Sequence, residues 1–293
     1  MNSFSFINPG FTDAVSLDPL ANSQGVRTVI NGGVAPTFPQ VLAMNNFARG
    51  MRQDFIWSKM KSVVLFLNNG LVGCGTPLLV GTGGSDPWNL STFIAGDLTA
   101  NGLIGDGASK NIKTVLLPST LFSSDGNAGY SIYVSTTVSN VNQYDLGMFN
   151  PADGSNCFTC NSDTTTQWQS DCWDNITANR GENYGAVRGV GFFSFNRTST
   201  TNVKMYFAKT TTAWAQVGTS DGTVCTSTRG WANNQFNTGI IIFGLASTNG
   251  TIFNFSARRY SYISFHDGLT SAEGQMEFNR VQTFRLAVGG GTA

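Results

Sequence analysis

The sequence has little charge and a single histidine, and each shortage excludes a class of protein. Charged residues make up 12% of the 293 residues, against about a quarter in an average soluble domain. Seventeen basic and seventeen acidic residues cancel, so the basic footprint of a nucleic-acid-binding protein is absent. With one histidine, the chain has little material for a catalytic triad or a histidine-rich metal site.

An export signal and a membrane-spanning segment are also missing from the sequence. The opening stretch MNSFSFINPGFTDAV has no basic region followed by an apolar one. The apolar runs at 63–67 and 240–246 fall well short of the roughly 20 residues that cross a bilayer. We therefore expect a protein that is made in a cytoplasm without export and has no membrane span.

The five cysteines are odd in number, so they cannot all pair in disulfides within one chain. Cys157 and Cys160 have the spacing of metal ligands or of a redox pair, and Cys172 is the only nearby third sulfur. A zinc site is the alternative, but it needs four ligands, and His266 lies far away in the sequence. We expect free or disulfide-linked loop cysteines, no metal and no cofactor.

Small polar residues and phenylalanine dominate what is present. Glycine, serine, threonine and asparagine are abundant, and phenylalanine (22) far outnumbers tyrosine (7). Short apolar or alternating runs recur between turn signals without a fixed repeat, which predicts an all-β sandwich or jelly roll and argues against a propeller. The predicted strands are Ile112–Leu117, Ser131–Thr137, Tyr144–Phe149, Ala186–Phe195, Val203–Lys209, Ala213–Val217, Gly239–Ala246 and Thr251–Ser256.

The N-terminal residues 1–43 differ from the rest, which forms one β domain at 44–293. Prolines and Asn-Gly turn signals occur there without a helical or alternating period, so we predict an extended N-terminal arm. The simpler interpretation is an unstructured tail. The arm also carries apolar residues, which favour an anchor that becomes ordered on a partner. The expected anchoring residues are Phe4, Phe6, Phe11, Val26, Val29 and Ile30.

A helix is predicted to lead into the β domain at residues 44–66. Phe47, Met51 and Met60 recur at helical spacing, with basic residues elsewhere on the wheel. A basic, aromatic helix could lie on a membrane surface. Only one short face is apolar, however, so we expect the helix to pack on its own domain.

A second helix is predicted to close the chain at residues 270–287. Thr270 and Glu273 form an S/T-x-x-E capping box. Phe278, Val281 and Phe284 give an apolar stripe, and the charged residues are expected to stay solvated. Those charged residues are Glu277, Arg280 and Arg285.

Residues 150–183 interrupt the strand pattern and predict a long loop or insertion. Long ordered loops on β scaffolds often carry function. This segment combines two aromatic platforms with polar side chains, which is the composition of a sugar site. The alternative is that the tryptophans cover a sheet edge or an oligomer contact. The expected glycan-binding residues are Trp168, Asp171, Trp173, Asp174 and Asn175.

No pattern in the sequence predicts a reaction, and we expect that the protein is not an enzyme. A glycosidase needs two carboxylates across a sugar. The nearest pairs are Asp171 with Asp174 and Glu273 with Glu277, and the second pair belongs to the predicted helix surface. A serine–histidine triad would depend on His266, which we interpret as a solvated turn residue.

Several segments, in the same order, resemble phage or prophage virion structural proteins that carry a concanavalin A-like (LamG-type) jelly-roll domain. The resemblance spans 47–287, apart from 150–183. It implies a jelly roll displayed on particles, in tail fibres, receptor-binding proteins or capsid decorations. The segments that carry the resemblance are Phe55–Phe66, Gly102–Thr114, Ile241–Ala246, Asn249–Gly250, Phe255–Arg259, Ser264, Gly268–Glu273 and Phe278–Gln282.

Together with the tryptophan-containing loop, the resemblance leads us to expect a virion structural protein, a capsid decoration or fibre-like appendage displaying a lectin-like jelly roll with weak glycan adhesion. The alternative is a tail-tip receptor-binding lectin that recognises host surface glycans. The expected partners are other capsid or tail subunits, host-surface glycans and further copies of the chain as a homo-oligomer. The sequence leaves open the position on the particle, the host, the sugar and the number of subunits.

Overall fold

The structure is a computed structural model, and it describes most of the chain. The described residues are 17–124, 126–136, 143–150, 155–161, 169–171, 190–199, 202–209, 212–217, 239–247 and 249–291. Over these residues the chain forms two β-sheets, with three longer helices packed on the outer face of the first sheet.

The helices, in chain order, are α1 Pro19–Ile30, α2 Phe38–Gln53, α3 Leu71–Cys74, α4 Pro118–Leu121 and α5 Ser271–Ala287, with short 3₁₀ turns at Trp57–Lys59 and Ala95–Asp97. The strands are β1 Met60–Leu65, β2 Leu98–Thr99, β3 Gly102–Ile104, β4 Ile112–Lys113, β5 Ala128–Thr136, β6 Tyr144–Asn150, β7 Ser155–Asn161, β8 Gln169–Asp171, β9 Gly191–Ser199, β10 Asn202–Lys209, β11 Thr212–Val217, β12 Ile241–Ile242, β13 Leu245–Ser247, β14 Ile252–Phe253 and β15 Arg259–His266.

The two sheets are mostly antiparallel. The first has the order β11-β10-β9-β5-β15-β3-β2, and β1 also pairs with β15. The second has the order β14-β13-β6-β12-β4, extended by β7 on β6 and by β8 on β7. This arrangement confirms the prediction of a β-sandwich at the level of a mostly-β, two-sheet fold. We predicted an extended arm and two helices beside the β body. The structure instead has three longer helices, α1, α2 and α5, which form a layer on the first sheet.

The main core lies between the sheets, and strand alternation places it there. Strand β5 is buried on both faces: Tyr130, Ile132 and Val134 join the core between the sheets, whereas Tyr133 joins a second apolar cluster under the helices. Strand β9 divides in the same way, with Phe193 in the first cluster. Each residue step reverses the side chain's face, so one strand serves two cores.

The second apolar cluster holds α2 and α5 against the first sheet. Phe47 of α2 makes edge-to-face contacts with Tyr262 of β15 and with Phe284 of α5. Gly50 has a specific role here, because a Cβ atom at this position would lie 2.6 Å from the Arg280 side chain. Arg280 passes over Gly50 and forms a bidentate ion pair with Asp54, at 2.7 and 2.9 Å.

The predicted extended arm is wrong for residues 19–43, which are largely helical. Asp18 caps α1 through its side chain, and Pro19 occupies the first turn, where the missing N–H costs nothing. Helix α2 begins in a similar way, with Thr37 as the N-cap and Pro39 in the first turn. Pro19 and Pro39, which we interpreted as turn signals, therefore lie at helix starts. The predicted boundary at residue 43 falls inside α2.

The expected anchoring residues divide between described and undescribed parts of the chain. Phe4, Phe6 and Phe11 lie outside the described residues. Val26, Val29 and Ile30 lie on α1, where Val29 is 53% exposed and Ile30 is 76% exposed.

The predicted helix over 44–66 is too long at its C-terminal end. Helix α2 ends at Gln53, and Phe55 then has a left-handed backbone (φ 59°) with its side chain 86% exposed. After a 3₁₀ turn, β1 begins at Met60 and pairs with β15. The β-branched pair Val63–Val64 favours this strand, and sheet pairing prevails over the helical spacing of Met60.

The other two predicted segments have different outcomes. The predicted loop at 150–183 contains two strands, β7 and β8, which extend the second sheet. The closing helix is present as α5, with Thr270 as its N-cap and Glu273 completing the capping box.

Deletion of residues 1–43 is expected to unfold the domain. Ala21, Val41 and Ala43 are buried in the second apolar cluster, and the buried Gln24 side chain donates to the carbonyls of Gly73 and Thr76. Removing these contacts costs an amount comparable with the whole stability of a domain, roughly 5–15 kcal/mol. Circular dichroism during a thermal melt would show the loss of the cooperative transition.

The matched control for this deletion is Ile30→Ser, which alters an exposed α1 residue and is expected to change stability by less than about 0.5 kcal/mol. A cooperative melt of the deletion variant at the wild-type temperature would show that α1 and the start of α2 are dispensable.

Candidate functional site

A row of serines crosses the middle of the first sheet on the face that the helices cover. Ser131 of β5 pairs in register with Ser194 of β9 on one side and with Ser264 of β15 on the other. All three side chains are fully buried. Serine side chains are short and polar, so the helix above them can approach the sheet closely. Buried hydroxyls also need hydrogen-bond partners.

Glu277 of α5 supplies the acceptor for this row. Its Oε1 accepts hydrogen bonds from Tyr262 at 2.8 Å and from Ser264 at 2.6 Å, and its Oε2 lies 2.7 Å from Ser131 Oγ. The side chain is 0% exposed. The prediction that Glu277 stays solvated is therefore wrong, because the sheet beneath it offers hydroxyl donors instead of an apolar surface.

Arg285 is also buried, against the prediction that it stays solvated. Its guanidinium carbon lies 3.6 Å from the centre of the Tyr133 ring, and its Nη2 donates to the Gly291 carbonyl. Burial lowers the pKa of Arg285, because desolvation disfavours the charged form. Arg280 is part-buried in its ion pair with Asp54. The charged side chains Glu277, Arg280 and Arg285 of α5 thus all bind protein groups, whereas we predicted that they stay solvated.

His266 continues the polar row at the end of β15. Its Nδ1 lies 2.9 Å from the Asp267 carbonyl oxygen, which makes Nδ1 the protonated nitrogen, and its Nε2 lies 3.0 Å from Ser131 Oγ. Burial lowers the pKa of His266, since desolvation penalises the imidazolium. The single hydroxyl hydrogen of Ser131 therefore faces two acceptors, His266 Nε2 and Glu277 Oε2.

Ser131, His266 and Glu277 have the residue types of a catalytic triad, but their setting is that of a structural network. All three are fully buried, and Asn196 extends the network by donating to Ser194 Oγ. A nucleophile must reach its substrate, and these groups contact one another instead. The interpretation of His266 as a solvated turn residue is wrong. Serines at outward positions of successive strands were the signal that sequence reasoning missed.

A polar pocket opens next to this network, where β5 begins, β9 ends and β15 turns into α5. Its volume is about 590 Å³, within the range of small-ligand pockets, roughly 300–1,000 Å³. It is open to solvent, and hydroxyl, amide and charged groups line it together with two glycines. The lining residues are Lys59, Ser124, Gly126, Asn127, Thr198, Ser199, Asp267, Gly268 and Thr270.

Asp267 and Asn127 are held rigidly in the pocket wall. The Asp267 carboxylate pairs with Lys61 at 2.9 Å and accepts from the Ser123 hydroxyl at 3.2 Å. Asn127 accepts from the Gly268 N–H at 2.8 Å and donates to Ser123 at 3.1 Å. The wall is therefore in place before any ligand arrives, which lowers the entropic cost of binding.

The opposite side of the pocket is formed by Lys59 and the first turn of α5. Lys59 Nζ lies 2.7 Å from the Glu273 carboxylate, which also accepts the N–H of Thr270. Partial burial would raise the pKa of Glu273, but the hydrogen bonds from Lys59 and Thr270 outweigh it, and the pKa is lowered. The capping box thus fixes both the helix end and the pocket lysine.

The expected glycan-binding residues are not brought to this pocket by the described chain. Trp168, Trp173, Asp174 and Asn175 lie outside the described residues, and Asp171 ends strand β8 of the second sheet. The pocket residues were missed because they come from four separate segments with no shared motif.

The cysteines of the predicted metal or redox spacing lie on a strand. Cys157 and Cys160 belong to β7, whereas Cys172 lies outside the described residues. Cys74 is a free, buried thiol. Within the described ranges, no cluster of three or more histidine, cysteine or acidic side chains could hold a metal ion.

Comparisons with known proteins give structural neighbours only. No family model and no curated protein matches the chain. A Trypanosoma rangeli sialidase in complex with 2,3-difluorosialic acid superposes with a TM-score of 0.45 at 11% identity, covering 75% of this chain and 32% of the sialidase. This chain therefore spans about a third of the length of that sialidase.

Two smaller neighbours are single domains of larger proteins. The CBM40 domain of a Ruminococcus gnavus IT-sialidase has a TM-score of 0.37 at 9% identity, covering 58% of this chain and 92% of the domain. Domain 4 of AbnA, a GH43 arabinanase from Geobacillus stearothermophilus, was determined with arabinotriose; its TM-score is 0.39 at 13% identity, covering 75% and 98%. Similarities of this size assign no ligand to this chain.

None of the helices in the described part of the chain is both long enough and apolar enough to cross a bilayer.

Two substitutions of Glu277 test whether the buried network depends on its hydrogen bonds or on the negative charge of the carboxylate. Glu277→Ala is expected to destabilise the fold by about 3–5 kcal/mol, because the buried hydroxyls of Tyr262 and Ser264 lose their acceptor and the missing side chain leaves a cavity. Glu277→Gln is expected to stay within about 1 kcal/mol of the wild type. The glutamine carbonyl can serve Tyr262 and Ser264, while its amide supplies the second hydrogen that the Ser131–His266 contact needs.

Urea denaturation of the two variants beside the wild type, with the slope of each transition compared, measures both effects. Equal destabilisation by alanine and glutamine would show that the negative charge, and not the hydrogen count, holds the network together.

Proposed function

We propose that this protein is a carbohydrate-binding β-sandwich and that the pocket between β5, β9 and the start of α5 holds a sugar residue. The observation that carries the proposal is the lining of the pocket. Its carboxylate, amide, amine and hydroxyl groups stand on rigid elements and face solvent together. Each sugar hydroxyl is both a donor and an acceptor, and such a mixed set of groups complements it.

Binding without catalysis is part of the proposal. The carboxylates at the pocket, Asp267 and Glu273, are each held in an ion pair with a lysine. A general acid must deliver a proton to the glycosidic oxygen, and a carboxylate held in an ion pair is poorly suited to carry one. These groups are therefore suited to accept hydrogen bonds from a ligand.

The finer fold assignment, a concanavalin A-like jelly roll, belongs to the same proposal. It is supported by two sheets packed face to face around one core, and by antiparallel pairing of nearly all neighbouring strands in the described chain. Binding residues are concentrated in loops that a rigid scaffold positions, and this pocket lies where strands of the first sheet end.

Thr198→Ala tests whether the pocket is the binding site. The Thr198 side chain is exposed at the pocket, so its loss removes one hydroxyl without disturbing the core. A neutral hydrogen bond contributes about 1 kcal/mol, so the affinity for a glycan identified on an array is expected to fall about fivefold. Isothermal titration calorimetry gives the two dissociation constants.

Thr251→Ala is the matched control, because Thr251 is an exposed threonine beside β14 in the other sheet. Equal affinity of all three proteins for the glycan would remove the pocket from consideration. In that case, Trp168→Ala and Trp173→Ala would test the loop that the sequence predicts as the sugar site.

A second candidate function is attachment to a virion, as the sequence resemblance implies. The observation that favours it is an apolar corner between α1 and α2, where Val29 is 53% exposed, Ile30 76% and Val34 68%. Exposed apolar residues that cluster in sequence mark interaction sites more often than isolated ones do. The proposed role of this corner is to seat the protein on a capsid or tail subunit.

Particle attachment is tested by immunogold labelling of purified phage particles with antibody against the recombinant protein. Gold on the particles is expected for the wild type and loss of gold for Val29→Ser/Ile30→Ser, because the corner loses its apolar surface. Thr251→Ala serves as the control. Unlabelled wild-type particles would contradict the virion role and leave a free carbohydrate-binding protein.

A further inference from the structure

We propose that the sugar bound in this pocket carries no net charge, as in a neutral hexose or pentose, and is not a sialic or uronic acid. This inference rests on the proposed carbohydrate-binding function and narrows its ligand class. It follows from the charged side chains of the pocket, each of which already forms an ion pair with a side chain of opposite charge before a ligand enters.

The charged groups of the pocket and its border form two ion pairs. Lys59 lies 2.7 Å from Glu273, and Lys61 lies 2.9 Å from Asp267. Two amines and two carboxylates cancel.

A sugar carboxylate would have to displace Glu273 to pair with Lys59. Glu273 is attached to the same chain and held by the capping box, so its effective concentration at Lys59 is high. The incoming carboxylate would also approach Asp267, a like charge in the same pocket. Both effects act against an anionic ligand.

The N-terminus of α5 does not offer an anion site either. A helix N-terminus attracts anions through its free N–H groups and its dipole. Here the Glu273 carboxylate accepts the Thr270 N–H, and the Glu273 N–H donates to Thr270 Oγ1. The Glu273 carboxylate therefore already occupies the position that a bound anion would take at this helix N-terminus.

Uncharged groups remain for a ligand. Within the described part of the chain, the hydroxyls of Ser124 and Thr198 make no hydrogen bond to a protein group, and both residues are exposed at the pocket. Hydroxyl groups exchange hydrogen bonds with sugar hydroxyls without a change in charge. Together with paired charges, they select an uncharged polyol.

The test compares matched neutral and acidic probes on the whole protein. Calorimetric titrations with arabinotriose, lactose and α2,3-sialyllactose are combined with a glycan array that carries neutral, sialylated and uronic-acid-containing chains. Binding is expected for neutral glycans, with affinity nearly constant up to about 0.5 M sodium chloride, since no charge pair is screened. Addition of sialic acid to a bound glycan is expected to weaken binding.

Glu273→Gln is designed to reverse this preference. Glutamine completes a capping box as glutamate does, so α5 is expected to stay folded, while Lys59 loses its carboxylate partner. The freed amine is expected to raise affinity for an acidic glycan about tenfold relative to the wild type. A thermal melt checks that the variant remains folded.

The outcomes separate the two proposals. Salt-sensitive wild-type binding that is tighter for sialylated or uronic glycans would overturn the neutral ligand and retain carbohydrate binding. Unchanged preference in folded Glu273→Gln would overturn the role of the Lys59–Glu273 pair and with it the neutral-ligand inference. Absence of wild-type binding to every glycan of the array would overturn the proposed function itself.

Discussion

The buried carboxylate of Glu277 sets the position of the whole helical layer. It can be buried only where several donors converge, because an unpaired charge in a protein interior costs several kcal/mol, on the order of 3–5. The aligned hydroxyls of Ser131 and Ser264, with Tyr262 beside them, meet that need at one place on the first sheet. A shift of α5 by one turn would leave both the carboxylate and the hydroxyls unpartnered.

The position of α5 that Glu277 fixes also determines how α2 packs and where the pocket wall lies. Because α5 is fixed, Phe284 meets Phe47, and Arg280 crosses Gly50 to reach Asp54, which together hold α2. At the other end of α5, the first turn brings Glu273 to Lys59. A polar contact in the middle of the sheet thus determines both the packing of the N-terminal helices and the geometry of the pocket wall.

Sequence patterns predicted the strands better than the helical layer. Alternation and turn residues indicated a β-sandwich, and the Thr270–Glu273 capping box located the last helix, because these signals are local. Helix α1 and the first turns of α2 were missed because Pro19 and Pro39 were interpreted as turn signals of an extended arm. The burial of Glu277 was unpredictable from the helix alone, since it depends on serines that strand register brings together.

The pocket was beyond sequence reasoning for the same reason, and this bears on its function. Its groups come from the ends of elements whose relative positions depend on the buried network, so no motif connects Lys59 with Asn127 or Thr198. A wall whose charges are already paired gains little by attracting a charged ligand, but it keeps its hydrogen-bonding groups in fixed directions. Such rigidity suits recognition of a neutral, stereochemically defined ligand, because discrimination among sugars depends on where hydroxyl groups point and not on how strongly they are charged.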